Sequence, residues 1–92
     1  MRFEWNENKR QSNLNLHKID FMMIERNFGN DSEPLELIDT RKDYGETRHQ
    51  KIMKINDILF SIVYTLRGQN IRLISARLAD AKERKDYENR PN

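Results

Sequence analysis

Ninety-two residues make one domain, 1–92, with a small core, which excludes a long catalytic cleft between domains. Charged residues are 35% of the chain and apolar ones 36%, enough to fold but leaving a highly charged surface. Cysteine is absent, so a disulfide scaffold and a Cys-based zinc site are excluded. The start, MRFEWNENKR, has no apolar run of a signal peptide, and no stretch reaches the length of a membrane span. A cytoplasmic protein without a membrane partner is expected.

Arg2–Trp5, with two aromatics, reads as a short edge strand. Asn6 is a good N-cap, and a first helix is predicted over Glu7–His17. Its acidic residue sits in the first turn and its basic ones at the end, as the helix dipole favours. Lys9, Asn13 and His17 are spaced i, i+4 and i+8 and share one face. Asp20 caps a second helix over Phe21–Phe28, with Phe21, Ile24 and Phe28 as its apolar stripe and Gly29 as the C′ residue.

Asn30–Pro34 is a loop, Leu35–Ile38 a short strand, and Asp39–Gly45 a charged loop. The runs Ile58–Leu66 and Ile71–Ala76 flank a polar connection holding Gly68, a hairpin signal. Asn56-Asp57 reads as a second tight turn, which makes Glu46–Ile55 a third antiparallel strand. Ala79–Glu88 reads as a C-terminal helix with Lys82, Arg84 and Lys85 exposed. The expected fold is α+β: N-terminal helices on one face of an antiparallel sheet, then a C-terminal helix.

If both turns hold an even number of residues, the register follows. Ile55, Met53 and His49 then share an apolar face with Ile58, Phe60, Ile62, Tyr64, Leu66, Ile71 and Leu73. The other face gathers Glu46, Arg48, Arg67 and Arg72 near one end. The same register puts Arg77 on the apolar face at the opposite end, so either a bulge re-aims it or it belongs to another cluster.

The net charge of +2 hides an asymmetry: residues 1–46 sum to −3 and residues 47–92 to +5. A basic half suits an anionic partner, nucleic acid above all, although a solvated charged surface accounts for the charge as well. No phosphate-binding Gly loop, catalytic Ser-His-Asp spacing or HExxH is present, and two histidines are too few for a metal site without carboxylates placed beside them. No metal and no cofactor are expected. The candidate groups are Lys9, His17, Arg48, Tyr64, Arg67, Arg72 and Arg77. Fixed guanidinium groups stabilise an anionic phosphoryl transition state. RNA carries its own nucleophile, the 2′-OH, so a base, an acid and arginines suffice to cleave it. Duller roles fit several of these residues: His17 as a helix cap, Lys9 on a solvated face, Tyr64 in the core, Arg48 and Arg67 in surface ion pairs.

Three ordered motifs carry a resemblance. The first is Phe3-x-Trp5-x-x-x-Lys9-x-x-x-Asn13-x-x-x-His17-x-Ile19-x-Phe21. The second is Asp39-Thr40-Arg41-x-Asp43-Tyr44-Gly45-Glu46-x-Arg48. The third is Val63-Tyr64-Thr65-x-Arg67, then Arg72-x-Ile74-Ser75-Ala76-Arg77-x-Ala79, with Glu83-Arg84 and Tyr87 after it. Over nearly its whole length the chain resembles the BrnT toxins of bacterial type II toxin–antitoxin pairs, small ribonucleases with a RelE-like fold. The family usually has Asp at the position of Asn6 and Gly at that of Lys18, so Lys18 must bear any positive φ that Gly holds there.

The resemblance implies an mRNA-directed endoribonuclease that inhibits translation and growth. It also implies a BrnA-type ribbon-helix-helix antitoxin, which would bind operator DNA and carry the toxin there as co-repressor. On this reading Arg48, Arg67, Arg77, Lys9 and His17 are the catalytic candidates, and Arg72, Tyr64 and Lys82 the RNA-binding ones. A non-catalytic antitoxin-binding module and an RNA binder without cleavage are the competing readings.

Overall fold

The computed structural model describes residues 2–91. The chain runs β1 (Phe3–Glu4), α1 (Glu7–His17), α2 (Phe21–Asn27), β2 (Leu35–Ile38), β3 (His49–Ile55), β4 (Ile58–Arg67), β5 (Asn70–Leu78) and α3 (Ala81–Glu88). One five-stranded sheet has the order β1-β5-β4-β3-β2. It is mixed, not antiparallel throughout as the sequence suggested: β1 pairs parallel with β5, Phe3 opposite Ile71. No hairpin joins these two strands, so no turn dictates their relative direction.

Local chemistry sets the helix ends. Asn6 Oδ1 accepts the Lys9 N–H at 3.1 Å and opens α1. Lys18 closes it in the left-handed region, φ 62°, with its N–H donated to Leu14 O at 2.9 Å. The positive φ expected there is therefore borne by a residue with a Cβ, at a cost of about 1 kcal/mol. Asp20 caps α2 by accepting the Met22 N–H. That helix stops one residue early, with Phe28 as its cap, and Gly29 takes no positive φ. Asn30 instead donates to Asn27 O at 3.0 Å, an exit that needs no left-handed residue.

The two hairpins match the expected register. Asn56 and Asp57 have φ of 50° and 67°, the paired positive values of a type I′ turn. Ile55 lies opposite Ile58, Met53 opposite Phe60 and His49 opposite Tyr64. Gly68, at φ 60°, turns β4 into β5, with Arg67 opposite Asn70. β3 begins at His49 instead of Glu46, because Glu46–Arg48 belongs to the preceding loop. α3 begins at Ala81, two residues later than expected, because Asp80 is its cap. Asp80 accepts the Glu83 N–H, and the Glu83 carboxylate accepts the Asp80 N–H, a capping box.

One irregularity redirects β5. Val63 lies opposite Ser75 but Tyr64 opposite Leu73, so Ile74 is an extra residue without a counterpart. The bulge reverses the alternation beyond it. Arg77 consequently leaves the apolar face, where an unbroken register had put it, and lies opposite Ser61.

The apolar residues form two clusters. Ile19, Phe21 and Ile24 pack with Met53, Ile55, Phe60, Ile62, Tyr64, Ile71, Leu73 and Ala76. A smaller cluster joins Ile52 to Ala79 and Tyr87. Ile52 and Met53 are neighbours on β3, so the clusters lie on opposite sides of the sheet. Phe3, Trp5 and Phe28 are partly buried against the larger one. Among the described residues no helix is long and apolar enough to cross a membrane.

Asn13 fixes α1 to the sheet. Its amide nitrogen donates to Ala76 O (2.8 Å) and to Ile19 O (3.0 Å), and its oxygen accepts the Ala76 N–H at 3.0 Å. β1 pairs only with Ile71 and Arg72, so the side-chain amide does for Ala76 what a neighbouring strand would do.

Candidate functional site

Along β4 the side chains alternate, so Ser61, Val63, Thr65 and Arg67 point away from the larger apolar cluster. Arg72 lies opposite Thr65 and joins that face. Arg48 precedes His49, whose ring stacks on Tyr64 on the apolar side, and so it falls on the same face as Thr65. The three arginines meet Lys9 and Asn6 from the start of α1 around a cavity of about 180 Å³. Glu46, Leu73 and the bulged Ile74 complete its wall. Among the described residues, four cations and one carboxylate thus line the cavity.

The ion pairs here are loose. Arg48 Nε is 3.3 Å from Glu46 Oε2, and Arg67 Nη2 is 3.9 Å from the other oxygen of the same carboxylate. Arg72 Nη1 is 3.6 Å from Glu4 Oε1. Lys9 has no ion pair among the described residues. Arg67 is the most exposed of the three arginines, at 54%. Guanidinium N–H groups in this state can still donate to an oxyanion, and their charges converge without neutralising one another.

Arg77 is placed differently. Its two Nη atoms meet the two Glu83 oxygens at 2.8 and 2.9 Å, a bidentate pair. Glu83 also accepts from Gln50 (2.6 Å) and from the Asp80 N–H. Burial raises the Glu83 carboxyl pKa, but the Arg77 and Asp80 hydrogen bonds outweigh it and bring the group below its ordinary value. Glu83 in turn raises the Arg77 pKa. Both groups border a second hollow with Ile38, Asp39, Thr40, Arg41, Gln50 and Asp80, apart from the arginine-lined one.

The remaining candidates do not join the cavity. His17 ends α1 and makes no side-chain hydrogen bond among the described residues. Tyr64 is 7% exposed, in the larger apolar cluster, stacked on His49 at 5.1 Å and edge-on to Phe28 at 5.2 Å. Its hydroxyl donates to Glu36 at 3.0 Å, and burial together with the Glu36 charge pushes its pKa up. Lys82 is exposed on α3 and pairs with Asp86 at 2.9 Å.

Sequence reasoning brought Arg48, Arg67, Arg72 and Glu46 together by cross-strand alternation. It missed Asn6 and Ile74 in the wall. It also missed Tyr44, whose ring lies 3.9 Å from the Arg48 guanidinium carbon. The signal was an aromatic four positions before an arginine in a loop with a Gly turn, DYGETR, and four positions place nothing without the loop's geometry.

Cations gathered in this way would favour an oxyanion and any negative charge added to it. Among the described residues no three His, Asp or Glu side chains gather as metal ligands. The family model described as ribonuclease toxin, BrnT, of type II toxin-antitoxin system matches residues 5–83. Comparison with curated proteins finds no significant match.

Proposed function

Because the chain belongs to the BrnT family of ribonuclease toxins of type II toxin–antitoxin systems, we propose that it cleaves mRNA at the arginine-lined cavity without a metal ion. One observation carries this reading: Arg48, Arg67, Arg72 and Lys9 converge on one small cavity, where Glu46 is the one lining carboxylate among the described residues. The RNA 2′-oxygen attacks the adjacent phosphorus and the 5′-oxygen leaves. The proton lost by the 2′-OH is matched by one gained at the 5′-oxygen. The products are a 2′,3′-cyclic phosphate and a 5′-hydroxyl, and no water is consumed.

Negative charge builds on the non-bridging oxygens during this step. Arg67 and Arg48 donate to those oxygens, and the hydrogen bonds strengthen as the charge develops. Arg72 and Lys9 add field from the β5 side. His17, Tyr64, Arg77 and Lys82 stand outside that role in the proposal.

The remaining parts of the reading follow the family. The fold is RelE-like, the toxin acts in the cytoplasm on mRNA, and cleavage slows translation and growth. A BrnA-type ribbon-helix-helix antitoxin neutralises it, and the pair reaches operator DNA only through the antitoxin.

End-group analysis of RNA cut by the purified protein tests the chemistry. Cleavage should persist in EDTA and leave 2′,3′-cyclic phosphate ends. Activity abolished by EDTA and restored by Mg²⁺ contradicts the proposal.

A further inference from the structure

The segment 39–48 closes on itself and delivers Tyr44 beneath Arg48. The Asp39 N–H donates to Arg48 O at 2.8 Å, which ties the two ends together. Between them the chain reverses at Gly45, φ 71°, whose N–H donates to Asp43 Oδ1 at 2.9 Å. The Tyr44 hydroxyl then donates to Asp39 Oδ2 at 3.2 Å, and its ring sits 3.9 Å from the Arg48 guanidinium carbon.

Asp39 is a firm anchor. It is 8% exposed, and Arg41 grips it through Nε and Nη2, both at 2.9 Å. Those Arg41 bonds hold its carboxyl down at about 2 despite the opposing effect of burial. Thr65 Oγ1 donates to Thr47 O at 2.7 Å and pins the loop's exit to β4.

Arg48 has four rotatable side-chain bonds and, among the described residues, one ion pair, at 3.3 Å. A guanidinium over an aromatic face is attracted by the ring's quadrupole, and a flat ring leaves the in-plane N–H groups free to donate. The stack therefore restricts Arg48 without using the donors that an oxyanion needs. A carboxylate partner such as Glu83 does the opposite, because it consumes the donors.

We infer that Tyr44 is a positioning residue that holds Arg48 in the cavity, with Asp39 as the anchor of its ring. This rests on the site reading proposed above. The charged run Asp39–Arg48 is thus a built support for one arginine.

The test is a double-mutant cycle on RNA cleavage with the purified protein, read per folded molecule. Tyr44→Leu should lower kcat about 10-fold or more and leave KM nearly unchanged, because a misplaced donor fails in the transition state. Tyr44→Phe keeps the ring and should lose far less. In an Arg48→Ala background, Tyr44→Leu should cost nothing further, since it acts only through Arg48. The Arg48 Nε–H resonance should carry a ring-current shift that survives in Tyr44→Phe and vanishes in Tyr44→Leu. If Arg48→Ala and Arg67→Ala both cleave at the wild-type rate, the site reading falls and the inference with it; if Arg48→Ala alone does, only the inference is overturned. If Arg48→Ala is impaired while Tyr44→Leu is not, or the two losses multiply, only the inference is overturned.

Discussion

Arg77 and the group Arg48, Arg67 and Arg72 share one face of the same sheet, yet their guanidinium groups are bonded in opposite ways. Arg77 is locked to Glu83 by two short parallel bonds, and Glu83 is held by Gln50 and Asp80 in turn. Among the described residues each of the other three makes one ion pair, at 3.3 to 3.9 Å, two of them to one shared carboxylate. The locked arginine has its charge matched and its donors committed to the fold. The loose ones keep both available. Residue type and sheet face alone do not separate a structural arginine from one that can meet a ligand. What separates them is how far each donor set is already satisfied.

The largest expected effect lies on the loose side. Arg67→Ala should lower cleavage by about 10²–10³, some 3–4 kcal/mol of transition-state stabilisation, as for loss of one oxyanion donor. Its stability should hardly change, because an exposed pair such as Arg67–Glu46 contributes roughly 0–1 kcal/mol. Lys at this position should rescue only in part, since an ammonium lacks the guanidinium fork. Parallel cleavage assays and thermal melts check all three. Wild-type cleavage by both Arg67→Ala and Arg48→Ala would break the comparison.

On the locked side the order of effects reverses. Arg77→Ala leaves the half-buried Glu83 without its counter-charge and should cost about 1–3 kcal/mol of stability. For a domain of this size each kcal/mol lowers the melting temperature by about 4–8 °C. Cleavage per folded molecule should remain near wild type.

A smaller effect sharpens the contrast through pH. The Glu83 carboxyl sits below its ordinary value of 4.5 in the folded chain. Its contribution is therefore complete above that pH and is lost as the pH falls through the lowered value. Asp39, brought from 3.8 to about 2, behaves alike. Melting temperature should fall on acidification below about pH 4.5, and the fall should be shallower in Glu83→Gln, which no longer titrates at that position.

Much of this arrangement could be read from residues. Asn56-Asp57 and Gly68 announce turns of positive φ, and the turns fix the register that puts Arg48, Arg67 and Arg72 on one face. Asn6 and Asp20 announce helix starts. The bulge at Ile74 carries no Gly and no unusual residue, and its one trace was a charged Arg77 on the apolar face of an unbroken register, which a bulge or a separate cluster could explain. The Asp80–Glu83 capping box was present in the letters, but the apolar Ala79 beside it drew the helix boundary back. Lys9 reaches the cavity only because α1 lies on β5, held by Asn13 at Ala76, a contact between residues 63 positions apart. The direction of β1 and the place of Tyr44 likewise depend on long-range packing and loop geometry, which no local pattern encodes.

The availability of the donors can be observed directly, without cleavage. A short RNA with 2′-O-methyl groups cannot be cut, and its binding can be followed through the arginine side-chain N–H resonances. The Nε–H signals of Arg48, Arg67 and Arg72 should shift on titration, and that of Arg77 should stay fixed. A shift confined to Arg77, or equal shifts at all four, would contradict the account.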